Sequence, residues 1–105
     1  MTERYKNGKI YFIRYRNDNN LIYVWSTCSP LYKRWHEHKT KCFNENSKEY
    51  NKILFQKIRE TDIKDWYIEL FQQYPCDNIE QLLKREGEVI REIGSLNKRI
   101  EGRST

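Results

Sequence analysis

The sequence predicts an α/β fold of the α+β kind, a small three-stranded antiparallel sheet flanked by helices in the order β-β-α-α-β-α. Three observations predict it: an aromatic, β-branched hairpin, apolar residues at helical spacing in three segments, and one further alternating run. A chain of 105 residues is long enough for one domain and too short for two. We therefore expect a single domain over residues 1–105, with its core at about 9–99 and a tail at 100–105.

The hairpin is the first element along the chain. Residues 9–16 mix β-branched and aromatic side chains, and residues 21–26 repeat that composition, so both runs predict strands. Between them, residues 17–20 (Asn-Asp-Asn-Asn) are turn formers whose side chains bond to the local backbone. The sequence therefore predicts that the chain turns at residues 17–20 and returns as the second strand.

Two helices and a third strand follow the hairpin. Ser29 suits an N-cap and Pro30 suits the first helical position, so the first helix is expected to run to about Phe43. Residues 48–60 carry apolar side chains at helical spacing and predict the second helix. Residues 63–74 predict the third strand, which Pro75 ends. Within them one set of side chains alternates with another along the chain, namely Trp66, Ile68 and Leu70 with Tyr67, Glu69 and Phe71.

The third predicted helix carries a carboxylate in an unusual place. Asp77, with Glu80 three residues later, resembles a capping box and predicts the helix start. Glu86 lies on the apolar stripe, where an unpaired buried carboxylate would cost free energy. Gly87 costs about 1 kcal/mol relative to Ala inside a helix, which suggests a close approach there. On pattern alone, a boundary residue whose carboxylate reaches water is the commoner explanation of Glu86. The predicted buried stripe consists of Ile79, Leu82, Leu83, Ile90 and Ile93.

A second candidate pair lies on the first predicted helix. Arg34 and His38 are four residues apart, so their side chains share one face. Lys33, Glu37 and Lys39 surround them. On pattern alone, these charged neighbours make a solvated helix face the commoner explanation.

The charge of the chain is concentrated in its first part. Residues 1–42 contain nine Lys or Arg against three Asp or Glu, whereas residues 43–105 contain eleven against twelve. A basic surface beside aromatic residues favours a polyanion such as nucleic acid, although a Lys-rich surface also keeps proteins soluble. Cys28, Cys42 and Cys76 lack metal-site spacing, so we expect neither a disulfide framework nor structural zinc.

The cellular location can be predicted from two features that the sequence lacks. It contains no apolar run of about 18 residues, and residues 1–9 contain no apolar stretch of the kind found in a secretory signal. We therefore expect no contact with a membrane and an intracellular protein, in the cytoplasm, the nucleus or the nucleoid, that is not secreted.

Taken in order, these segments resemble the core of the GIY-YIG nuclease family. The resemblance covers Lys9 to about Arg99, nearly the whole chain. Any one piece would be weak evidence, whereas the full set with its order and spacing is specific. The matching segments are residues 9–11, 23–27 about a dozen residues later, 31–38, 85–90 and 96–97.

The resemblance implies a set of site residues. Tyr11 and Tyr23 resemble the tyrosines of the first and second motifs, which line the site, and one of which is proposed to help activate the nucleophile. Arg34 resembles the arginine that binds the scissile phosphate, and His38 the histidine one helical turn later that supports proton transfer. Glu86 resembles the single metal-binding carboxylate.

The resemblance also implies a cofactor and a partner. We expect one Mg²⁺ or Mn²⁺ ion per site and DNA as substrate, hydrolysed to a 5′-phosphate and a 3′-hydroxyl. A single carboxylate suffices because Mg²⁺ keeps several waters and often binds one carboxylate plus substrate phosphate. We expect low sequence specificity of the chain alone, or specificity supplied by a homodimer or a partner protein. The residues expected to contact substrate are Trp25, Thr27, Lys33 and Asn97, the last of which resembles an asparagine that steadies the site.

Two motif glycines are replaced in this chain. Lys9 stands for the first, at a strand start, where the change is minor. Trp25 stands for the second, and a strand glycine commonly marks close approach by a ligand or backbone. The indole could crowd DNA, stack on a base or point into the core. The alternative functions are therefore a catalytically weak GIY-YIG-like DNA-binding module, or an interaction domain without salt-dependent DNA binding.

Overall fold

The structure is a computed structural model that describes residues 3–93. The predicted order β-β-α-α-β-α and the three-stranded antiparallel sheet are confirmed. Short 3₁₀ turns at Glu3–Asn7 and Ile63–Asp65 precede the first and third strands. The main elements are β1 (Lys9–Tyr15), β2 (Asp18–Thr27), α1 (Leu31–Cys42), α2 (Ile53–Glu60), β3 (Trp66–Gln73) and α3 (Ile79–Ile93).

Strand β1 is the centre of the fold. The strand order is β2-β1-β3, and both neighbours pair antiparallel with β1. Because side chains alternate along a strand, β1 contributes to two cores. Tyr11 and Ile13 pack in the cluster that includes residues of α1 and α2, whereas Ile10 and Phe12 pack in the cluster with α3. The fold therefore has three layers, and functional residues can reach the sheet from both faces.

The hairpin turn is tighter than the sequence predicts. Strand β2 already begins at Asp18, so that only Arg16 and Asn17 form the turn. The Asp18 side chain accepts a hydrogen bond from the backbone N–H of Asn20 at 2.9 Å. The pairing of β1 with β2 shifts register between Arg14 and Tyr15. Asn19 and Asn20 therefore lie in β2, and of the predicted turn formers only Asn17 lies in the turn. The register shift accompanies this closer reversal of the chain.

The first two helices begin later than predicted. Pro30, rather than Ser29, holds the N-cap position of α1. The backbone N–H of Ser29 instead donates to Thr27 Oγ1 at 3.0 Å. Helix α2 begins at Ile53, because residues 47–51 form bends and turns that the helical spacing of their side chains did not reveal.

The start of α3 is capped by a different residue from the one predicted. Asn78 Oδ1 accepts from the backbone N–H of Gln81 at 3.0 Å. Gln81 Oε1 in turn accepts from the backbone N–H of Asp77 at 2.8 Å. The prediction that Asp77 and Glu80 form the capping box is therefore wrong, and the same chemistry is displaced by one residue.

The buried stripe of α3 is narrower than the predicted stripe. Leu82 and Ile90 are buried as expected, and Val89 joins them. The helix packs mainly on β2, so only a thin line of its surface is covered. The remaining members of the predicted stripe, Ile79, Leu83 and Ile93, are exposed, which corrects that prediction.

Close backbone approach occurs at a glycine that the sequence did not single out. A Cβ added to Gly87 would meet Arg91 Nη1 at 3.6 Å, an ordinary contact, so the expected close approach is not found among the described atoms. A Cβ added to Gly8 would lie 2.6 Å from the carbonyl oxygen of Tyr74. Gly8 therefore allows the chain before β1 to lie against the end of β3.

The three cysteines, Cys28, Cys42 and Cys76, are free thiols. Within residues 3–93, no helix has both the length and the apolar character needed to cross a bilayer.

Candidate active site

A cleft of about 480 Å³ opens where the end of β2 meets α1 and α3. Strand β2 lies between the two helical layers, so residues from both layers reach the space at its end. Four of the residues predicted for the site, Trp25, Thr27, Arg34 and Glu86, line this one cleft. The structure thus brings them together from distant parts of the chain.

Arg34 enters the cleft from the first turn of α1. Its Nη1 donates to Glu37 Oε1 at 2.5 Å, and its side chain is 22% exposed. Its Nε is buried and has no acceptor within residues 3–93. An unsatisfied buried donor costs about 1 to 3 kcal/mol. The Arg34 side chain also hydrogen-bonds to the side chain of Tyr11, so it joins the cleft to the residues behind it.

Tyr11 and His38 form a buried hydrogen-bonded pair behind the cleft. The Tyr11 hydroxyl and His38 Nε2 are 2.7 Å apart. Burial raises the pKa of Tyr11 well above its usual value of 10.0, although the nearby Arg34 charge lowers it. Burial and the Arg34 charge lower the pKa of His38 to about 3. Both groups are therefore uncharged at neutral pH, and neither is tuned for proton transfer near pH 7 in this conformation.

Trp25 forms the part of the cleft wall that packs against His38. It is the antiparallel partner of Tyr11 in the sheet register. Its ring centroid lies 4.4 Å from that of His38 and 5.0 Å from that of Tyr23. Lys52 Nζ lies 4.1 Å from the same ring. The sequence left open whether the Trp25 indole crowds DNA, stacks on a base or points into the core. In the structure the indole packs on the core and also borders the cleft, and its ring contacts the three neighbours named above.

Glu86 reaches the cleft from α3, in the layer opposite Arg34. Its Oε1 accepts a hydrogen bond from Ser26 Oγ. Burial raises the pKa of Glu86, whereas hydrogen bonds from the side chain and backbone of Ser26 and the charge of Lys52 lower it. The neighbouring Glu88 instead pairs with Arg85 at 3.0 Å on the more exposed side of the helix. Glu86 is thus the glutamate of α3 that is both partnered and directed into the cleft.

The donor set of the cleft fits one type of metal ion. Within the described part of the chain, no group of three or more His, Cys, Asp or Glu side chains is placed to hold a metal ion. Transition metals bound by protein side chains alone need such a group. A hard cation such as Mg²⁺ that keeps its waters can use a single carboxylate and a substrate oxygen. The partly buried Glu86 carboxylate fits that second type of site.

Besides Tyr11 and His38, two of the predicted site residues do not line the cleft, and a third lies outside the described residues. Tyr23 is buried and packs against Trp25, behind the wall. Lys33 is exposed on α1 and is not among the residues that border the cleft. Asn97 lies outside residues 3–93, which are the residues that the structure describes.

Two residues that the sequence reasoning missed lie at the site. Ser26 is inside the second motif, and its hydroxyl next to the replaced glycine was the available signal. Lys52 contacts the Trp25 ring, bonds to Glu49 at 3.1 Å, and its charge acts on the pKa of both His38 and Glu86. No sequence signal marked Lys52, because residues 48–60 are predicted as one helix and not as a loop beside the site.

Comparison with protein families gives one match, to a model described as the GIY-YIG catalytic domain, over residues 7–99. The match covers most of the chain, including all six main elements and the four predicted residues that line the cleft. Comparison with curated proteins and with solved structures gives no match.

Proposed function

Because the chain belongs to the GIY-YIG nuclease family, we propose that it is a metal-dependent endonuclease that hydrolyses DNA phosphodiester bonds in the cleft beside Trp25. The observation that carries the proposal is the meeting of Arg34 and Glu86 in one cleft, from helices in opposite layers. A guanidinium binds a phosphate, and a carboxylate binds a divalent cation. Their shared cleft lets both act on the same phosphodiester.

Arg34 is the proposed phosphate ligand. Its guanidinium is always charged and presents several N–H donors in a rigid fork. Glu37 occupies Nη1 and fixes the orientation of the side chain. The excess of positive charge within residues 1–42 would attract the DNA backbone toward this end of the molecule.

Glu86 is the proposed ligand of one Mg²⁺ or Mn²⁺ ion. The chemistry that such an ion supplies when bound is stabilisation of the negative charge that develops on the phosphate oxygens. The partial burial of Glu86 supports this role, because an ion pair is stronger where the effective dielectric constant is lower. Glu86 Oε1 accepts a hydrogen bond from Ser26 Oγ.

Tyr11 and His38 are the proposed proton-transfer pair. The attacking water would give its proton to the Tyr11 oxygen while His38 Nε2 receives the Tyr11 proton. The positive charge of Arg34 assists, since it lowers the pKa of Tyr11. In the present conformation the Tyr11 side chain is 0% exposed, so the side chains packed around it, among them its strand partner Trp25, must move before a water in the cleft can reach that hydroxyl.

The proposed function can be tested by plasmid cleavage. Supercoiled plasmid is incubated with the protein and Mg²⁺ or Mn²⁺, in parallel with Glu86→Ala, Glu88→Ala and an EDTA control. We expect nicking or linearisation by the parent and by Glu88→Ala, and none by Glu86→Ala or with EDTA. Glu88 is a matched control because it lies on the same helix outside the cleft. Cutting by Glu86→Ala, or cutting that persists in EDTA, would contradict the proposed metal site.

A catalytically weak DNA-binding module is the second candidate, and the position of Trp25 favours it. The indole stands where the family motif has glycine, and it lines the cleft with its ring packed against that of His38. A gel-shift series at rising salt concentration distinguishes the candidates. DNA retention that weakens steeply with salt, without cutting, would support the binding module. Absence of any salt-dependent retention would instead favour an interaction domain.

A further inference from the structure

We propose that Ser26 is the positioning residue for the Glu86 carboxylate, which it holds at the wall of the cleft in the orientation that a divalent cation needs. The inference rests on the proposed function, because that function gives Glu86 a cation to bind. The family match assigns no role to Ser26, and neither do the roles proposed above for Tyr11, Arg34, His38 and Glu86.

The contact joins two layers of the fold. Ser26 lies near the end of β2 and Glu86 lies on α3, 60 positions later in the chain. The Ser26 hydroxyl donates to Glu86 Oε1, and the Ser26 backbone N–H also bonds to the carboxylate. Because β2 is an edge strand of the sheet, N–H groups on its outer side have no neighbouring strand to bond. One residue on a rigid strand thus supplies both donors.

Two hydrogen-bond donors restrict the orientation of a carboxylate as well as its distance from the donors. A glutamate side chain has several rotatable bonds, and one hydrogen bond leaves the carboxylate free to rotate about it. A second donor from the same residue restricts that rotation. An ionised carboxylate has about four lone-pair sites, so the two bonds from Ser26 leave about two for a cation in the cleft.

The environment of Ser26 also argues for a positioning role. Ser26 and Glu86 both line the cleft, and their hydrogen bond is partly buried. An unpartnered Glu86 could rotate toward bulk water at the mouth of the cleft. The contact with Ser26 keeps it beside the space that Arg34 also borders. Hydrogen-bonding partners of metal ligands typically contribute about 10- to 100-fold to metal affinity.

The test measures Mn²⁺ affinity directly, by the loss of the electron paramagnetic resonance signal of free hydrated Mn²⁺. A short non-cleavable duplex is present, with a protein-free duplex blank, because the proposed site uses a substrate oxygen as well as Glu86. The parent is compared with Ser26→Ala, Ser26→Thr, Ser29→Ala and Glu86→Ala. We expect the Mn²⁺ dissociation constant of Ser26→Ala to rise by about 10- to 100-fold. Ser26→Thr keeps the hydroxyl, so its affinity should stay close to that of the parent. Glu86→Ala should lose the site.

Ser29→Ala is the matched control. Ser29 lines the same cleft, but its backbone groups, rather than its hydroxyl, bond to Lys9 and Thr27. We expect its Mn²⁺ affinity to equal that of the parent. Circular dichroism and thermal denaturation of each variant check that the fold is retained, and Ser26→Cys provides a further variant of similar size if Ser26→Ala fails to fold.

Cleavage kinetics supply a readout that a general structural role would not give. Ser26→Ala should need more Mn²⁺ for half-maximal cleavage, and its kcat should recover at high Mn²⁺. Its affinity for duplex DNA without metal should equal that of the parent. A variant that loses DNA affinity and thermal stability together, without recovery at high Mn²⁺, would show that Ser26 serves the fold rather than the carboxylate.

The outcomes for Ser26 and for the proposed function are separable. Equal Mn²⁺ affinity of the parent and Ser26→Ala overturns the role of Ser26, whether or not plasmid is cut. A parent that binds Mn²⁺ but cuts no DNA overturns the nuclease proposal, and the measured affinities still decide the role of Ser26. A parent that binds no Mn²⁺ overturns the metal site and the role of Ser26 with it.

Discussion

Arg34 and Glu86 border an open cleft, whereas Tyr11 and His38 lie behind its wall at 0% and 1% exposure. Each of these two residues already has a partner. The Arg34 guanidinium pairs with Glu37, and the Glu86 carboxylate accepts a hydrogen bond from Ser26. The two buried residues are bonded to each other and kept neutral by burial.

This difference separates the proposed site into two parts. The part that would bind phosphate and cation is assembled and accessible. The part that would move protons is closed, because Tyr11 and His38 are buried and the Trp25 ring packs against His38. On the proposed function, substrate can therefore bind before the Tyr11 hydroxyl is accessible, and the movement of one indole would couple the two parts.

The largest expected effect is the slower cleavage that follows from replacing Arg34, in the open part of the site. Arg34→Ala should leave the fold intact and raise the barrier to cleavage by about 2 to 4 kcal/mol, the range for loss of one charge-stabilising donor. Single-turnover cleavage of an end-labelled duplex measures it. Lys33→Ala is the control, since Lys33 is exposed outside the cleft, and it should have a smaller effect. A variant that cuts as fast as the parent would show that Arg34 is misassigned.

The next largest expected effect is a pH dependence of folding stability, which comes from His38 in the closed part of the site. Burial lowers the pKa of His38 from 6.5 to about 3, so the unfolded chain takes up a proton first as the pH falls. Folding stability is therefore lost between about pH 6.5 and pH 3, and the loss at pH 5 should be about 2 kcal/mol. Urea denaturation of the parent from pH 7 to pH 5 measures this slope.

Two histidine variants test the assignment of that slope. His38→Gln is neutral at every pH, so its stability should change less between pH 7 and pH 5 than that of the parent. His36→Gln replaces an exposed histidine on the same helix and should keep the slope of the parent. The same slope in His38→Gln and the parent would mean that His38 is accessible to protons, which would remove the distinction between the two parts.

A smaller effect is expected when the wall between the two parts is removed. Trp25→Gly should lower the barrier to cleavage by about 1 kcal/mol and so speed cleavage about fivefold. The reason is that the indole no longer has to leave its contact with Lys52. Nitration of Tyr11 by tetranitromethane, followed by peptide mapping, should rise in parallel. Trp25→Phe retains a ring and should resemble the parent. Unchanged cleavage and unchanged nitration in Trp25→Gly would show that the indole does not control access.

The smallest effect concerns the helix that carries Glu86. Asn78→Ala should lower the free energy of unfolding by about 1 kcal/mol, the usual contribution of an N-cap side chain. Asp77→Ala should lower it less, because the cap of α3 is the side chain of Asn78. Thermal denaturation of both variants decides between the two residues, and an equal loss would restore Asp77 as the cap.

Local patterns predicted the elements better than their ends. The β-branched and aromatic composition of residues 9–16 and the apolar helical spacing of residues 79–93 indicated the type of each element, so the type and order of the elements followed from them. The ends depend on individual hydrogen bonds between side chains and backbone. Asn78 and Asp77 are both good caps in isolation, and only the position of Gln81 made Asn78 the cap.

Helical spacing placed Arg34 and His38 on one face, but it could not predict their depth. Arg34 lines the cleft, whereas His38, one turn further along α1, lies in the core. Arg34 thus keeps 22% of its side chain exposed, and His38 is buried beside Phe55 and Trp25. The proposed division of the site into an open and a closed part arises from that difference in depth.

The sequence by itself determined the fold class, the order of the elements and the family, because these depend on the spacing and order of residues along the chain. Only the tertiary structure decided that Trp25 packs between the cleft and His38, that Ser26 hydrogen-bonds to Glu86, and that Lys52 reaches the site. Each of these contacts joins residues from different elements. Their existence depends on how the layers pack on the sheet, which no local pattern in the chain records.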